Sequence, residues 1–445
     1  MSRCRLYRHR GSTTMSGQFK AFVKKITPHF LLDFYYYLVA FLGAIVFGFP
    51  SRQLIVIGVT GTSGKSTTID FITRILEEAG NKVVSNSSIR FKIGSKEWKN
   101  ELKMGMPGRF FMQKLLNQGV KEKCKYAVLE VTSEGIKQFR HKFINFNTTV
   151  FTNLSPEHIE SHGGFENYRS EKLKLFKATK NIHLINIDDE NAKYFLDTPA
   201  KKIITFGLDK GDFNLKNTNF HLNMLGNFNI YNGLAAIAAA TSYGVSLEIC
   251  KNALEKVQGI PGRMEVIQRE PFLVVVDYAH TPVQLESVYK TLSNSQKQFP
   301  AVQHPQLTDV GQLEKLEKLE NMSKLICVLG SCGGGRDKWK RPVLGHVAQQ
   351  YCKEIIITNE DPYDEDPLEI IEQVAGGIDN QTKNYHIILD RKEAIHRALA
   401  LATPKDAVII TGKGSESLMC LKNGKKIQWD DRQIVRDALS IDKNL

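Results

Sequence analysis

The clearest alternation of hydrophobic and polar positions lies at Leu54–Ala79. Leu54–Val59 is an apolar, β-branched run typical of a buried strand, and a turn rich in glycine and threonine follows it. The helix predicted from Lys65 to Gly80 has one apolar face, formed by Ile69, Ile72, Leu76 and Ala79. The pattern therefore predicts a strand, a tight turn and a helix in immediate succession.

Short apolar runs alternate with helical patterns along the rest of the chain. The runs that predict strands are Lys82–Val84, Tyr126–Val131, Thr148–Asn153, Phe272–Asp277, Leu325–Gly330, Glu354–Thr358 and Ala407–Thr411. Helical patterns follow Met106 and Pro282 and cover Phe165–Phe176 and Leu234–Thr241. Such alternation predicts an α/β fold with mainly parallel sheets that helices cover on both faces.

The Gly259–Arg263 stretch holds two glycines and one proline and predicts a hinge. We therefore expect a basic lead with an apolar helical segment at 1–50, a central domain at 51–258 and a C-terminal domain at 262–445. Residues near 293–323 are rich in glutamine and then in a Leu-Glu-Lys repeat. This composition predicts an insert in the last domain.

Composition narrows the class of protein. An apolar content of 42% and a charged content of 24% are globular values. The net charge is +13, but no basic stretch is interleaved with stacking aromatics, so we expect anionic small molecules and no nucleic acid. The seven cysteines are scattered without a CxxC pair, which predicts a reduced, cytoplasmic protein with no disulfide framework and no zinc ribbon.

The first 50 residues are basic and then apolar. No acidic residue precedes Asp33, and Phe34–Phe49 carries no charge. Three interpretations compete: a helix docked on the protein, an interfacial helix with basic flanks, and a single membrane anchor. We predict docking on the central domain, with membrane contact through residues 30–49 as a secondary role.

The turn before Lys65 has the composition of a phosphate cradle. Small residues let backbone N–H groups approach phosphate oxygens, and the helix N-terminus favours negative charge. Lys65 would reach the β- and γ-phosphates, and the hydroxyl of Ser66 or Thr67 would hold Mg²⁺. The glycine at Gly58 is one residue too early for the strict P-loop spacing. The turn therefore predicts ATP or GTP without naming a reaction.

Polar side chains follow two further strands. Glu130 ends one predicted strand, Asn153 ends the next, and His158 comes shortly after it. Because ligands bind beyond the carboxyl ends of parallel strands, we expect these side chains near the phosphate turn, where Glu130 and His158 offer an oxygen and a nitrogen ligand.

Six segments resemble, in order, motifs of the Mur ligases: EVTSEGI, VFTNLSPEHIESHGGFENYRSEKLKLF, LGNFNIYN, GIPGRMEVI, DYAHTP and GKGSE. The resemblance runs from Leu54 to the C-terminus and is closest to the tripeptide-synthetase (MurE) type. It implies a P-loop-containing central domain and a Rossmann-like C-terminal domain.

The resemblance also implies a set of cofactors. ATP would bind with two Mg²⁺ ions, the first on Ser66 and the second on Glu130 and His158. Lys172 occupies the position of the family's carbamylated lysine, whose anionic adduct can ligate metal where an ammonium cannot. Lys65, Glu130, His158 and Lys172 would form the catalytic group. Without the resemblance, Lys172 reads as a solvated helix lysine.

The remaining implied residues bind nucleotide or substrate. The nucleotide set is Gly61, Thr62, Ser63, Gly64, Lys65, Ser66, Thr67, Asn229, Asn232, Arg263 and Asp277. Among these, the asparagines and Arg263 would lie near the adenine and Asp277 near the ribose. The substrate set, for a muramoyl peptide and an amino acid, is Thr132, Ser133, Arg140, Arg336, Asp361, Tyr363, Gly412 and Glu416.

The sequence departs from the family's pattern in several places. Tyr363 stands where diaminopimelate-adding enzymes have an arginine. This difference favours lysine or another diamino acid over diaminopimelate as the added substrate. Ser415 and Glu134 each replace a family histidine. Some fifty residues precede the strand before the turn, so we expect a shortened form of the family's UDP-binding domain, and the acceptor could be a UDP-free or membrane-bound muropeptide.

The resemblance implies an ATP-dependent ligase that forms an amide bond through an acyl phosphate in peptidoglycan precursor synthesis. The nearest alternative is a ligase of the folylpolyglutamate-synthetase type, which has the same loop and chemistry. A second alternative is a membrane-docked nucleotide-binding protein without ligase activity, which would hydrolyse ATP without an added amine.

Overall fold

The structure is a computed structural model that describes residues 27–293, 324–379 and 384–441 of the 445-residue chain. The basic lead up to residue 26 and nearly all of the predicted insert lie outside the described residues.

The first half of the chain forms an eight-stranded sheet. Its order is β4-β3-β2-β5-β1-β6-β7-β8. Six strands run parallel, and the β2–β3 and β3–β4 pairs are antiparallel. The strands are β1 Ile55–Thr60, β2 Val83–Asn86, β3 Arg90–Ile93, β4 Lys96–Lys99, β5 Tyr126–Glu130, β6 Thr148–Phe151, β7 Ile182–Asn186 and β8 Lys202–Phe206.

Helices cover both faces of this sheet because its inner strands are apolar on both sides. They are α1 His29–Val46, α2 Lys65–Glu78, α3 Arg109–Lys121, α4 Ser133–Lys137, α5 Ile159–His162, α6 Phe165–Ala178, α7 Ala192–Leu196, α8 Leu215–Thr218, α9 Asn227–Thr241 and α10 Leu247–Glu255. One core joins α2, α9 and α10 to the sheet, and a second core joins α3 to the opposite face. Helix α2, which follows the predicted phosphate turn, is thereby packed against both the sheet and the alanine-rich α9.

The second half forms a six-stranded sheet of order β13-β12-β11-β14-β10-β9, parallel except for the β9–β10 pair. Its strands are β9 Glu265–Gln268, β10 Leu273–Val276, β11 Leu325–Leu329, β12 Glu354–Ile357, β13 Tyr385–Ile387 and β14 Ala407–Ile410. A hairpin follows, formed by β15 Leu418–Cys420 and β16 Lys426–Gln428. The helices are α11 Pro282–Ser293, α12 Lys340–Tyr351, α13 Pro367–Ala375, α14 Arg391–Leu401 and α15 Asp431–Ile441.

The α/β class predicted from the alternation of apolar runs is confirmed. The sequence did not predict the antiparallel β3–β4 edge, β7, β8 or the β15–β16 hairpin, since these strands are short, partly exposed or flanked by weak turn signals. The expectation of a chain without disulfides is wrong at one pair: Cys327 of β11 and Cys352 after α12 are bonded. The pair is 25 residues apart, so no local motif signals it.

The predicted hinge packs against a loop of the second half of the molecule. Gly262 has a φ of +62°, and a Cβ there would collide with the backbone of Gly414 and Ser415. Gly262 therefore needs to be glycine for both its conformation and its packing. This contact joins the segment between the sheets to the GKGSE loop that follows β14.

The apolar N-terminal segment forms α1, which lies against α3. Ala40 and Ala44 are fully or almost fully buried, and Gly43 packs on Phe110. The ring of Tyr37 lies 5.1 Å from that of Phe143. Among the described residues, no helix is long and apolar enough to cross a membrane.

Candidate active site

The turn between β1 and α2 is pressed against the end of β6. The backbone N–H of Ser63 donates to Asn153 Oδ1 at 2.9 Å, and that of Thr62 donates to the Asn153 carbonyl at 2.9 Å. A Cβ on Gly61 would collide with Thr152, and Gly64 has a φ of +78° and lies against Asn232. This close packing fixes the turn so that the N-terminus of α2 opens into the cleft between the sheets, where it favours an anion.

Lys65 and Lys172 converge on one carbonyl of this turn. Lys65 Nζ donates to the Gly61 carbonyl at 3.0 Å and to that of Thr62 at 2.8 Å. Lys172, on α6, is 1% exposed, and its Nζ donates to the same Gly61 carbonyl at 2.8 Å. Burial, together with the nearby charge of Lys65, holds the pKa of Lys172 well below its usual value. Burial of the side chain excludes the solvated-helix interpretation of Lys172, and it favours the neutral form of the amine.

Glu130 and Ser66 form an oxygen pair beside the turn. Ser66 Oγ donates to Glu130 Oε2 at 2.8 Å, and the backbone N–H of Ser88 donates to the same oxygen at 2.8 Å. Glu130 is 3% exposed, and within the described ranges it forms no ion pair. A buried carboxylate and a hydroxyl at a phosphate-binding helix are the hard ligands that Mg²⁺ prefers, so these residues fit the metal.

His158 follows β6 in a left-handed conformation with φ of 57°. Burial, together with the nearby Arg336 and Lys172, lowers the pKa of His158 to about 4 against the opposing effect of Glu157. The imidazole is therefore neutral at physiological pH, as a metal ligand must be. In the part of the chain that is described, no cluster of three or more His, Cys, Asp or Glu side chains could hold a metal by itself. A metal here would depend on hydroxyl, carbamate or phosphate oxygens as well.

Glu157 and His280, which the sequence analysis did not select, join the two sheets. His280 Nε2 lies 2.9 Å from Glu157 Oε1, and Lys340 Nζ donates to the His280 carbonyl at 2.9 Å. Burial would raise the pKa of Glu157, but His158, His280 and Lys340 outweigh it and hold the pKa well below its usual value. His280 lies in the DYAHTP motif and Glu157 in the SPEH part of another motif, but nothing in the sequence indicated that the two side chains meet.

The predicted adenine-side asparagines lie on α9. Asn229 and Asn232 are 1% and 4% exposed. Asn229 Nδ2 donates to the Leu225 carbonyl at 2.7 Å, and Thr68 Oγ1 donates to Asn232 Oδ1 at 3.2 Å. Neither side chain caps α9. Asn232 instead ties α9 to the phosphate-turn helix.

Asp277 and Arg263 lie at the edge of the second sheet. Asp277 follows β10 and accepts hydrogen bonds from the N–H groups of Met264 at 2.7 Å and Ala279 at 2.6 Å. Burial raises the pKa of Asp277, against the opposing charge of Arg263. The Arg263 guanidinium lies 4.3 Å from the centroid of the Tyr278 ring. The pair therefore presents a carboxylate and a flat cation to the cleft.

Two lysines that the sequence analysis did not select surround Asp361 and Glu416. Lys413 is fully buried, and its Nζ lies 2.9 Å from Asp361 Oδ1 and 2.7 Å from Glu416 Oε2. Lys103, in the loop before α3 of the other sheet, lies 2.6 Å from Asp361 Oδ2 and 2.8 Å from Glu416 Oε2. Burial would lower the pKa of Lys103, but Glu416 and Asp361 raise it well above its usual value, so the lysine stays charged. Lys413 was visible in the GKGSE motif, while no local pattern marked Lys103.

Arg336 and Tyr363 complete this corner of the cleft. Arg336 makes no hydrogen bond or ion pair within residues 27–293, 324–379 and 384–441. Burial would lower its pKa, but neighbouring acidic groups, Glu157 among them, raise it above its usual value. Tyr363 has a φ of 53°, and its ring packs against Gly334. The corner thus offers a guanidinium available for an anion, two neutralised carboxylates and an aromatic ring.

Thr132, Ser133 and Arg140 surround α4. The Thr132 side chain caps this helix by accepting from Gly135 N–H at 3.0 Å, and Ser133 Oγ lies 3.2 Å from His162 Nε2. Arg140 donates to the Met106 carbonyl, and burial lowers its pKa. These groups lie at the side of the cleft that faces α3.

All the predicted site residues line one cavity of about 820 Å³ between the carboxyl ends of the two sheets. The turn residues, the predicted metal ligands, the predicted nucleotide residues and the predicted substrate residues all border it, including Gly412, which contacts Glu360. Such a cavity is large enough for a nucleotide and a second substrate together. A helix N-terminus, a carboxylate–hydroxyl pair and a buried lysine whose pKa is lowered lie in one cleft, and such groups can position a phosphoryl group for transfer.

Comparison with known proteins gives a consistent result. The Mur ligase middle domain matches residues 59–240, and the glutamate ligase domain of Mur ligases matches residues 311–414. The UDP-N-acetylmuramoyl-L-alanyl-D-glutamate–2,6-diaminopimelate ligase of Syntrophomonas wolfei is 35% identical over 425 residues, which are 90% of this chain and 81% of that protein.

Solved structures are also similar. A 2,6-diaminopimelate ligase of the same name is 29% identical with a TM-score of 0.56, over 88% of this chain and 79% of that one. Folylpolyglutamate synthase of Mycobacterium tuberculosis has a TM-score of 0.64 at 14% identity, over 89% of this chain and 95% of that one. At that identity, the likeness to the folylpolyglutamate enzyme concerns the fold alone.

Proposed function

Because the chain belongs to the Mur ligase family, we propose that its cavity binds ATP, a muramoyl peptide and an amino acid together. The protein is an ATP-dependent ligase that forms an amide bond on a muramoyl peptide in peptidoglycan synthesis. In the proposed reaction, a carboxylate of the muramoyl peptide attacks the γ-phosphate, and ADP leaves. The amine of the amino acid then attacks the acyl phosphate, and inorganic phosphate leaves.

The phosphates of ATP would bind at the N-terminus of α2. Lys65 would turn from the carbonyls of its own loop to the β- and γ-phosphates, since these carbonyls are weaker partners than a phosphate. Members of this family use Mg²⁺, which supplies charge neutralisation to the transferring phosphoryl group. Ser66 and Glu130 would hold one ion, and His158 with carbamylated Lys172 would hold a second.

Carbamylation of Lys172 is supported by its surroundings. Only a neutral amine attacks CO₂, and the attack forms an N–C bond while the nitrogen loses a proton. Burial and the charge of Lys65 favour the neutral amine at Lys172. Once formed, the carbamate is an anion beside Lys65, so the charge that disfavours the ammonium would stabilise the adduct.

The nucleoside would lie between the sheets. Asn229 and Asn232 border the cavity on α9, and Arg263 with Asp277 border it from the second sheet. A ribose hydroxyl is a suitable partner for the Asp277 carboxylate, and the Arg263 guanidinium beside Tyr278 suits a flat base. Contacts from both sheets to one nucleotide would couple ATP binding to closure of the cleft across Gly262.

The amino acid would enter near Asp361 and Glu416. The guanidinium of Arg336 is available for its α-carboxylate, and Glu416 would bind an amine. Tyr363 supplies no second cation for a second carboxylate, so we propose a diamino acid of the lysine type. Gly412 permits close approach at this corner, because a Cβ there would collide with Glu360. Thr132, Ser133 and Arg140 would contact the muramoyl peptide from the opposite side.

The observation that carries the proposal is the single cavity in which the phosphate turn, Glu130 and buried Lys172 face Asp361 and Glu416. The test measures phosphate release from ATP with UDP-linked and UDP-free muramoyl dipeptides, each with lysine or diaminopimelate. Release that needs both a muramoyl peptide and an amino acid is expected. Release that needs a folate and glutamate, or that needs no amine, would favour the alternative ligase or a simple ATPase.

A further inference from the structure

Helix α1 has an apolar face that the protein does not cover. Leu31, Phe34, Leu38, Leu42 and Ile45 recur at intervals of three and four residues, so they share one side of the helix. Their exposed fractions lie between 40% and 64%. A row of large apolar side chains left in water is costly, which indicates a surface that has a partner.

The opposite side of α1 fixes how this face is presented. Ala40, Gly43 and Ala44 pack closely on α3, the Arg109 guanidinium lies 4.2 Å from the centroid of the Tyr36 ring, and Phe47 meets Phe110 at 6.4 Å between ring centroids. The helix therefore lies flat along the domain instead of projecting from it. Phe110 of α3 is itself 43% exposed, so the apolar surface continues from α1 onto α3.

The charge of the chain before α1 distinguishes between partners. Residues 1–28 contain no acidic residue, and their seven basic residues are Arg3, Arg5, Arg8, Arg10, Lys20, Lys24 and Lys25. A second copy of the chain would bring an equally basic segment to the same place, and the two would repel each other. An anionic lipid surface would attract the basic residues and accept the aromatic and aliphatic side chains.

We propose that the outer face of α1 rests in the interfacial layer of an anionic bilayer, with the helix parallel to the membrane plane. The positive charge of residues 1–28 favours such a surface over a neutral one. A position of α1 across the bilayer is incompatible with the structure, because the inner face of α1 packs on α3. This surface lies outside the ligase cavity, so the test of membrane binding does not depend on the proposed reaction.

Sedimentation of the full chain with vesicles tests this. We expect the protein to pellet with vesicles of phosphatidylcholine and phosphatidylglycerol, to pellet weakly with phosphatidylcholine alone, and to be released from the mixed vesicles by salt. Leu38→Gln with Leu42→Gln should lower partitioning about tenfold or more, because both side chains would leave the apolar layer. The matched control is Leu368→Gln with Ile387→Gln, whose side chains are 45% and 46% exposed on the second half of the molecule.

Both double variants change only exposed side chains, so their thermal unfolding midpoints should equal that of the wild type. Lys20→Gln, Lys24→Gln and Lys25→Gln together should weaken binding to the mixed vesicles and leave the weak binding to phosphatidylcholine unchanged. Failure of the wild type to pellet with mixed vesicles would overturn the proposal. Equal loss in the control double variant would also overturn it, as would a wild-type dimer in solution that the α1 variant abolishes.

Discussion

The ammonium of Lys103 lies 2.6 Å from the carboxylate of Asp361 and thereby joins the loop before α3 to the second sheet. Lys103 also contacts Glu416 at 2.8 Å, and its side chain is 12% exposed. Two carboxylates and two lysines thus share a small, mostly buried volume. A lysine from one half of the molecule therefore helps to set the position of the acids that we assign to the amino acid.

Loss of Lys103 should impair amino-acid use. Lys103→Ala would leave Asp361 and Glu416 with Lys413 alone, so we expect kcat/KM for the amino acid to fall about 10- to 100-fold, with the KM for ATP less affected. Lys103→Arg should restore part of the activity, because it restores the charge. Steady-state kinetics with each substrate varied in turn measures both effects.

The control for Lys103 is Lys99→Ala. Lys99 forms an ion pair between the same halves of the molecule, with Asp430 at 3.3 Å, but its side chain is 35% exposed. An exposed pair contributes little, so this variant should retain near wild-type kinetics. Equal kinetic losses in the two variants would show that the effect comes from contact between the halves in general.

The metal-binding proposal predicts a specific rescue at Lys172. Glu130→Ala, His158→Ala and Lys172→Ala should each remove most ligase activity. Lys172→Ala should recover in part when formate or acetate is added, since a small carboxylate can replace the carbamate. Lys174→Ala, at an exposed position of the same helix, should behave as the wild type. Near-normal activity of Lys172→Ala without added carboxylate would contradict carbamylation.

A buried histidine away from the cavity predicts acid sensitivity. Burial lowers the pKa of His141 from 6.5 to about 3, with Lys142 and Lys174 acting in the same direction. Below pH 6.5 the unfolded chain therefore binds a proton at His141 that the folded chain does not bind. Above pH 6.5 the ring is neutral in both states, and His141 does not lower the free energy of unfolding. As the pH falls from 6.5 toward 3, unfolding should become easier by at most about 1.4 kcal/mol per pH unit.

Urea unfolding at a series of pH values measures this dependence. His141→Gln should flatten it, because glutamine does not titrate. His346→Gln, at an exposed position on α12, should leave the slope of the wild type. His158, with a pKa of about 4, contributes in the same sense, so part of the slope should persist in His141→Gln. An unchanged slope in His141→Gln would mean that His141 is protonated in the folded protein.

The sequence predicted the parts of the site that local motifs encode. The phosphate turn needs a strand, small residues and a helix start, all of which are visible between Leu54 and Ala79. Glu130 and Asn153 could be assigned to the same edge because the carboxyl ends of parallel strands meet there. The substrate residues were found through their motifs, and their roles stay predictions.

The contacts between the two halves could not be predicted. Lys103 and Asp361 are 258 residues apart, and Glu157 and His280 are 123 apart, so no periodicity connects them. The bond between Cys327 and Cys352 is also set by the neighbouring positions of β11 and the end of α12. Such pairs depend on how the sheets are placed, which hydrophobic patterning does not specify.

The last prediction concerns the amino acid itself. Tyr363 borders the cavity where it cannot form a bidentate pair with a carboxylate, so the wild type should prefer lysine to meso-diaminopimelate. Tyr363→Arg should shift the ratio of kcat/KM values toward diaminopimelate about 10- to 100-fold, as expected for one new charge-assisted pair. Tyr363→Phe keeps the ring without adding a cation and should retain the wild-type preference. A strong wild-type preference for diaminopimelate would show that another cation, such as Arg336, binds the second carboxylate.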